Sequence, residues 1–221
     1  MKKIVSFLMC FVCGIAFLAG CSNNSEPFTQ KNYTADGTQI KGVRVDVRDR
    51  QIEVSLSKDN QIHMDYFENN KEYYDISVSD ENVLTMTAVS NKEWTDYIGS
   101  KPSAENRKIF LQIPNALLET LVLSTTNEKI SLSPLAVKES ISVSDNGGNI
   151  TFDKLDAGNT LTLTAKNGNI SGTVIGSYED YAILSEIKKG ESNLPSNKDN
   201  GTKTLNVSNN NGDIAIEFVR E

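Results

Sequence analysis

Four stretches decide the fold: LVLSTTNEKI at 121–130, ISVSDNGGNI at 141–150, LTLTAKNGNI at 161–170 and LNVSNNNGDI at 205–214. Each has apolar residues at its first, third and tenth places and Ser or Thr at its fourth. The starts lie 20, 20 and 44 residues apart, so the last interval has room for one more, irregular unit beginning near Tyr181. A period near 20 with strand–turn–strand content predicts a solenoid, because a single unit cannot bury its own apolar residues and stacked units can. Leu121, Ile141, Leu161 and Leu205 should then form one column. Ile130, Ile150, Ile170 and Ile214 should form a second, and the hydroxyls of Ser124, Ser144, Thr164 and Ser208 a third. Gly147-Gly148, Asn167-Gly168 and Asn211-Gly212 fall at one place in the unit, where residues that tolerate positive φ suit a tight corner. Glu128 stands at the Gly place of the first unit, so that corner should differ. The expected fold is all-β, a single-stranded β-helix or solenoid-like stack of short strands with Asn-Gly corners. The alternative is an antiparallel β-sandwich, since Asn-Gly is also a strong hairpin signal.

Upstream, the strand signal continues without the repeat. Val43, Val45 and Val47 alternate with Arg44 and Asp46; Ile52, Val54 and Leu56 alternate with Glu53 and Ser55. Ile62, Met64 and Tyr66, then Ile76 and Val78, Leu84 and Met86, and Ile109, Leu111 and Ile113 do the same. Period-two alternation puts one face on a core and the other toward water. The best helical candidate, Ser103 to Lys108, is short and lies in a loop. A β-solenoid domain is therefore expected over 40–221, with an irregular half at 40–118 and a repeat-containing half at 119–221.

The N-terminus has a different composition. Lys2 and Lys3 precede an uncharged apolar run from Ile4 to Gly20, which ends Leu18-Ala19-Gly20-Cys21. A basic start, an apolar run and small residues before a cut mark a secretory signal peptide, residues 1–20. Leu-Ala-Gly-Cys resembles the lipobox of bacterial lipoproteins, which implies a diacylglyceryl lipid on Cys21 and a domain anchored on the extracytoplasmic side of the cell membrane. Two acyl chains give stable anchoring where one is marginal. Residues 21–39 are polar and turn-rich and read as a flexible tether. Cys10 and Cys13 leave with the signal, so the mature chain has no second thiol for a disulfide. Without Lys2 and Lys3 it holds 22 − 2 = 20 basic and 29 acidic residues, a net charge of −9, which argues against nucleic acid as a partner.

No catalytic constellation stands out, and an enzyme is not expected. The one His, His63, alternates with Ile62 and Met64 and should be an exposed polar residue on a strand. With no second His and no free thiol, neither a metal site nor a cofactor site is expected. Asp80-Glu81 and Glu179-Asp180 are adjacent carboxylates in turn-like sequence, and glycoside hydrolysis would need two carboxylates spaced across a cleft. The segment 90–106 holds the only Trp, Trp94, with Tyr97 three residues on. Aromatics in a long loop mark a candidate contact site; the alternative is that Trp94 folds back onto the apolar end of the solenoid.

The run Lys108 to Asn115 (KIFLQIPN), then Leu118 to Ser124 (LETLVLS) and the repeated Asn-Gly-Asn/Asp-Ile units resemble the putative-adhesin domains of bacterial surface proteins, a family of unknown function. The resemblance covers about residues 40–221. It implies a β-solenoid at the cell envelope and no catalytic residues, since the shared positions are core and corner residues. A non-catalytic surface lipoprotein that binds an envelope protein or glycan is the expected function. An envelope-stress signalling component and a glycan-active enzyme are the alternatives.

Overall fold

The computed structural model describes residues 27–92 and 101–220. The signal peptide, Cys21, Trp94 and Tyr97 lie outside the described residues. Two sheets enclose one apolar core. Sheet A runs, in hydrogen-bonded order, β1 (Thr29–Asp36), β4 (Gln61–Glu68), β7 (Lys108–Ile113), β3 (Gln51–Leu56), β9 (Ile130–Leu132), β12 (Ile150–Ala157), β14 (Ile170–Ile175) and β18 (Ile214–Val219), with β10 (Leu135–Val137) also beside β12. Sheet B runs β16 (Asn197–Lys198), β15 (Tyr181–Ile187), β17 (Lys203–Asn209), β13 (Thr160–Ala165), β11 (Ser140–Asp145), β8 (Thr120–Thr125), β2 (Gly42–Asp46), β6 (Val83–Ser90) and β5 (Glu72–Val78).

The repeat columns form as the period predicts. Ile141 pairs in register with Leu121 and Leu161, and Leu161 with Leu205, all in parallel strands of sheet B. Ile150 pairs with Ile130 and Ile170, and Ile170 with Ile214, in sheet A. All eight are at most 2% exposed. Each Asn-Gly corner carries the chain from one sheet to the other, so it is a solenoid corner and not a hairpin turn. Antiparallel pairing occurs at the two ends of the stack, in β1–β4, β4–β7, β5–β6 and β15–β16.

The corners are built by three stacked devices. Backbone approach is the first. A Cβ on Gly148 would lie 2.3 Å from the carbonyl oxygen of Glu128. On Gly168 it would lie 2.0 Å from that of Gly148, and on Gly212 2.3 Å from that of Gly168. Positive φ, the property first expected here, holds at Gly168 (143°) and Gly212 (137°); at Gly148 close approach alone demands glycine. The second device is a side-chain ladder. Asn149 Oδ1 accepts the Asn169 N–H at 2.8 Å, Asn169 Oδ1 accepts that of Asp213 at 2.9 Å, and Asp213 Oδ1 accepts that of Glu191 at 2.9 Å. The corner at Glu128 differs as expected: Asn127 takes the positive φ, and Glu128 pairs with Arg107.

The third device is a column of small or polar side chains turned inward: Thr125, Asp145, Ala165 and Asn209. Asn209 Nδ2 donates to the carbonyl of Gly168 at 2.8 Å. Asp145 occupies the equivalent place two coils earlier. Its Oδ1 accepts the N–H groups of Gly147 and Gly148, while its buried Oδ2 has no donor. A Cβ on Gly148 would lie 2.6 Å from that Oδ2 and 2.3 Å from the Glu128 carbonyl oxygen, so two acceptors share one side of Gly148.

Three expectations are corrected. The tether expected over 21–39 does not extend through its second half, because Thr29–Asp36 is strand β1, paired along its whole length with β4. The irregular unit near Tyr181 exists, but not between its sequence neighbours: β17 inserts between β13 and β15, so β15 lies outside the final repeat. At the other end β2 and β3 insert in the same way, between β8 and β6 and between β9 and β7. Leu56 and Val78, read as core-facing, are both 37% exposed because their strands end there. The short helical candidate in the loop, as read, forms only a 3-10 turn, Glu105–Arg107.

Burial pushes the Asp145 carboxyl above its ordinary value of 3.8, against the opposing pull of the Gly147 and Gly148 N–H groups. A group raised in this way favours the fold when protonated, and that contribution is lost as pH rises through its folded value. Asp145→Asn supplies the missing donor at every pH. It should raise stability by about 1 kcal/mol at neutral pH, with the gain shrinking as pH falls through the raised Asp145 value toward the ordinary 3.8. Urea unfolding at pH 7 and pH 3.5 checks both parts.

Candidate functional site

Outward-facing residues of five neighbouring strands of sheet A form a row. Phe110 on β7 pairs with Glu53 on β3, Glu53 with Ser131 on β9, Ser131 with Thr151 on β12, and Thr151 with Ser171 on β14. The inward alternates Ile109, Ile52, Ile130 and Ile150 are each fully buried, which fixes the row's direction. β9 stops at Leu132, and the chain turns at Ser133-Pro134 before rejoining β12 through β10. That interruption opens a groove of about 430 Å³. Its walls include Phe110, Glu53, Ser55, Ser131, Thr151 and Asp153.

The groove's far wall is shaped by a bulge. Pairing between β12 and β14 shifts register between Phe152 and Leu155, and Lys154 adopts φ 45°. Bulges recur beside sites because they re-aim a side chain. Here the Thr173 hydroxyl donates to Asp153 Oδ1 at 2.7 Å and accepts the Lys154 N–H at 2.6 Å, fixing the carboxylate at the rim. Across the groove, Gln51 donates to Glu53. Lys108, whose ammonium lies 5.9 Å from the centre of the Phe110 ring, interacts electrostatically with Glu53.

Other charged residues are engaged within the fold. Arg50, 5% exposed, donates to Glu72 at 2.7 Å, to the Tyr74 hydroxyl at 2.7 Å and to its neighbour's carbonyl at Asp49. Lys92 reaches the other oxygen of Glu72 at 2.6 Å. Tyr74 packs edge-on against Tyr66. This cluster ties β5 to the Asp49–Arg50 corner. At the opposite end, Lys203 pairs with Asp156 at 2.6 Å and Tyr181 donates to the carbonyl of Ile175 at 2.6 Å. Burial pushes the Tyr181 phenol up to about 12, so it remains protonated.

The described residues weighed from sequence fall outside the groove. His63 is half-buried on the outer side of β4 and bonds to Asp59 at 3.0 Å and Thr34 at 3.3 Å. Asp80 and Glu81 are exposed in the turn between β5 and β6. Asp180 accepts the Ser177 N–H at 2.7 Å and caps a 3-10 turn, while Glu179 is exposed. Among the described residues no group of three His, Cys, Asp or Glu could hold a metal ion. No described helix is long and apolar enough to cross a membrane. Sequence reading missed the groove because its lining comes from separate coils.

Residues 40–221 match the Toastrack DUF4097 family. The chain belongs to that family, a domain family of unknown function with a solenoid-like fold. Among solved structures, a putative cell adhesion protein from Clostridium sporogenes is similar over 87% of this chain and 100% of its own, at 11% identity and a TM-score of 0.64. A putative adhesin from Bacteroides fragilis is similar over 88% of this chain and 98% of its own, at 12% identity and a TM-score of 0.34. The first likeness supports the fold. No curated protein matches the sequence significantly.

Burial acts to raise the Glu72 carboxyl, but hydrogen bonds and charge from Lys92 and Arg50 outweigh it, and the group lies below its ordinary 4.5. A lowered carboxyl contributes stability that is present above the unfolded value and lost as pH falls through the folded one. Glu72→Gln leaves Arg50 buried without its counter-charge and should cost about 2–4 kcal/mol at pH 7. Below about pH 4 the wild type loses the same contribution, so the two unfolding curves should converge there.

Proposed function

We propose that this chain is a non-catalytic binding domain, lipid-anchored through Cys21 and displayed at the bacterial envelope, where it engages an envelope protein or glycan. One observation carries the binding reading: the groove on sheet A. It sets the outward Phe110 ring beside Ser131, Thr151 and the Glu53 and Asp153 carboxylates, each held by a hydrogen bond, on strands paired into the sheet. A groove on rigid sheet is where ligand contacts are held in place.

The anchor reading rests on Leu18-Ala19-Gly20-Cys21 at the end of an uncharged run. A lipid on Cys21 would leave seven residues between the anchor and β1, from Ser22 to Phe28. Such a short connection would keep the sheet edge at β1 near the membrane and the far end of the stack away from it. The absence of enzymatic activity is inferred from the adjacent carboxylates, which lie in exposed turns outside the groove.

Cys21→Ala in the intact organism should abolish labelled-palmitate incorporation and release the protein from the membrane fraction; retained label would overturn the lipid anchor. For binding, the mature polypeptide, residues 21–221 with Cys21→Ser, should recover an envelope component when added to intact cells. Recovery of none would overturn the binding reading.

A further inference from the structure

The two sheets are unequal at the end of the stack that holds β1. Outward from β8 and β9, sheet B continues through β2, β6 and β5, while sheet A continues through β3, β7, β4 and β1. β5 lies across from β4, where the Tyr66 and Tyr74 rings meet edge-on at 5.1 Å. That leaves β1 with no strand of sheet B across from it among the described residues. On the inner side of β1, Lys31 and Tyr33 are accordingly only half-buried. So is Ile76 on β5, and Val78 is 37% exposed. Thr29, Lys31, Glu68, Tyr73 and Tyr74 line a recess of about 660 Å³ at this step. The step is one strand wide.

The backbone of β5 is open on the same side. In an antiparallel ladder, pairs that exchange hydrogen bonds alternate with pairs that do not. The Asn91 N–H donates to the Lys71 carbonyl at 2.9 Å and the Ser79 N–H to that of Val83 at 3.0 Å, so the odd-numbered residues bond to β6. The N–H and C=O groups of Tyr74, Ile76 and Val78 therefore point away from β6, to an edge that no described strand covers. At the far end of the stack the edge of β18 is blocked by a side chain instead. There Asn193 Oδ1 accepts the Ile216 N–H at 3.0 Å, and Asn193 Nδ2 donates to the Ile216 carbonyl at 2.8 Å. An open edge beside an uncovered inner face is a template for one more strand. The β5 of a second copy does not fit, because the β4 packed over it would fall where β1 already lies. Charge selects among other strands. Asp75 on the outer face of β5, and Asp80 and Glu81 in the turn that follows, are all exposed, whereas Ile76 and Val78 on the inner face are apolar. We propose that the outer edge of β5 takes one extended strand of a partner protein, apolar on the side facing Tyr33, Ile76 and Val78 and basic on the side beside Asp75. This surface is separate from the groove on sheet A, so either can fail without the other.

The test titrates the ¹⁵N-labelled mature polypeptide, residues 21–221 with Cys21→Ser, with a decapeptide of alternating valine and N-methyl-lysine. Alternate residues of a strand offer their backbone to opposite edges. Valines that face the core therefore turn their N–H groups to β5, and the methyl groups lie on the other edge. Saturable shifts and slowed hydrogen exchange should appear at the amides of Tyr74, Ile76 and Val78. Moving the methyl groups to the valines should abolish binding, and replacing lysine by glutamate should weaken it at least about tenfold. Val78→Pro removes one outward N–H without touching a bond to β6, and Asp75→Lys reverses the outer charge. Each should weaken binding about tenfold while the other resonances are preserved. No saturable shift, or shifts confined to the groove or to the outer edge of β1, would overturn the proposal. So would equal binding by hexalysine or by the valine-methylated peptide. Slow exchange of the three amides in the free chain, monomeric or dimeric, would show the edge already taken and overturn it as well.

Discussion

Backbone hydrogen bonding between successive coils is the constraint from which the rest follows. Paired strands must lie about 4.8 Å apart, so every corner must repeat at that spacing as well. A side chain at the tightest point would collide with the carbonyl of the coil below, which is why glycine recurs at 148, 168 and 212. The same spacing brings each Asn149, Asn169 and Asp213 side chain level with the next coil's N–H and makes the ladder possible. No cysteine falls among the described residues, and there these stacked bonds and the continuous apolar columns do the work that disulfides do in many small domains.

The columns were legible because the sequence repeats them: equal spacing places Leu121, Ile141, Leu161 and Leu205 on one line whatever else the chain does. The order of the coils was not. Nothing in residues 181–219 distinguishes a last coil that sits outermost from one that slides inward, since both bury the same alternating residues. Strand β1 escaped notice for a different reason. Its sequence, TQKNYTAD, buries only Ala35 fully, and the strand exists through backbone pairing with β4. Alternation detects strands that contribute to a core; it is silent about strands recruited to cover an edge.

The groove was illegible for a third reason. Phe110, Glu53, Ser131 and Thr151 each occupy an outward position on an ordinary alternating strand, where a polar or single aromatic residue is unremarked. Only the parallel register, which sets residues 53, 110, 131 and 151 side by side, turns four solvent-facing positions into one surface. The Arg50–Glu72 pair shows the same limit, since twenty-two residues separate groups that meet at 2.7 Å. Solenoids carry this property generally: the core is local and repetitive, whereas the outer face is assembled from distant segments.

The displaced coils at the two ends have a mechanical consequence. In a simple stack the first and last coils are outermost, and tension applied at a terminus can peel them away one ladder at a time. Here β2 lies between β6 and β8, and β17 between β13 and β15. Once β1 is stripped from β4, a pull on the chain's beginning meets a strand gripped on both flanks, with two rows of hydrogen bonds loaded together along their length. From the far end, β18 at the edge of sheet A pairs along its length only with β14, and β17 behind it meets the same two-sided grip. The domain is thus put together like a bolt driven through its neighbours, with its resistance to unravelling greatest one strand in from each end of the chain.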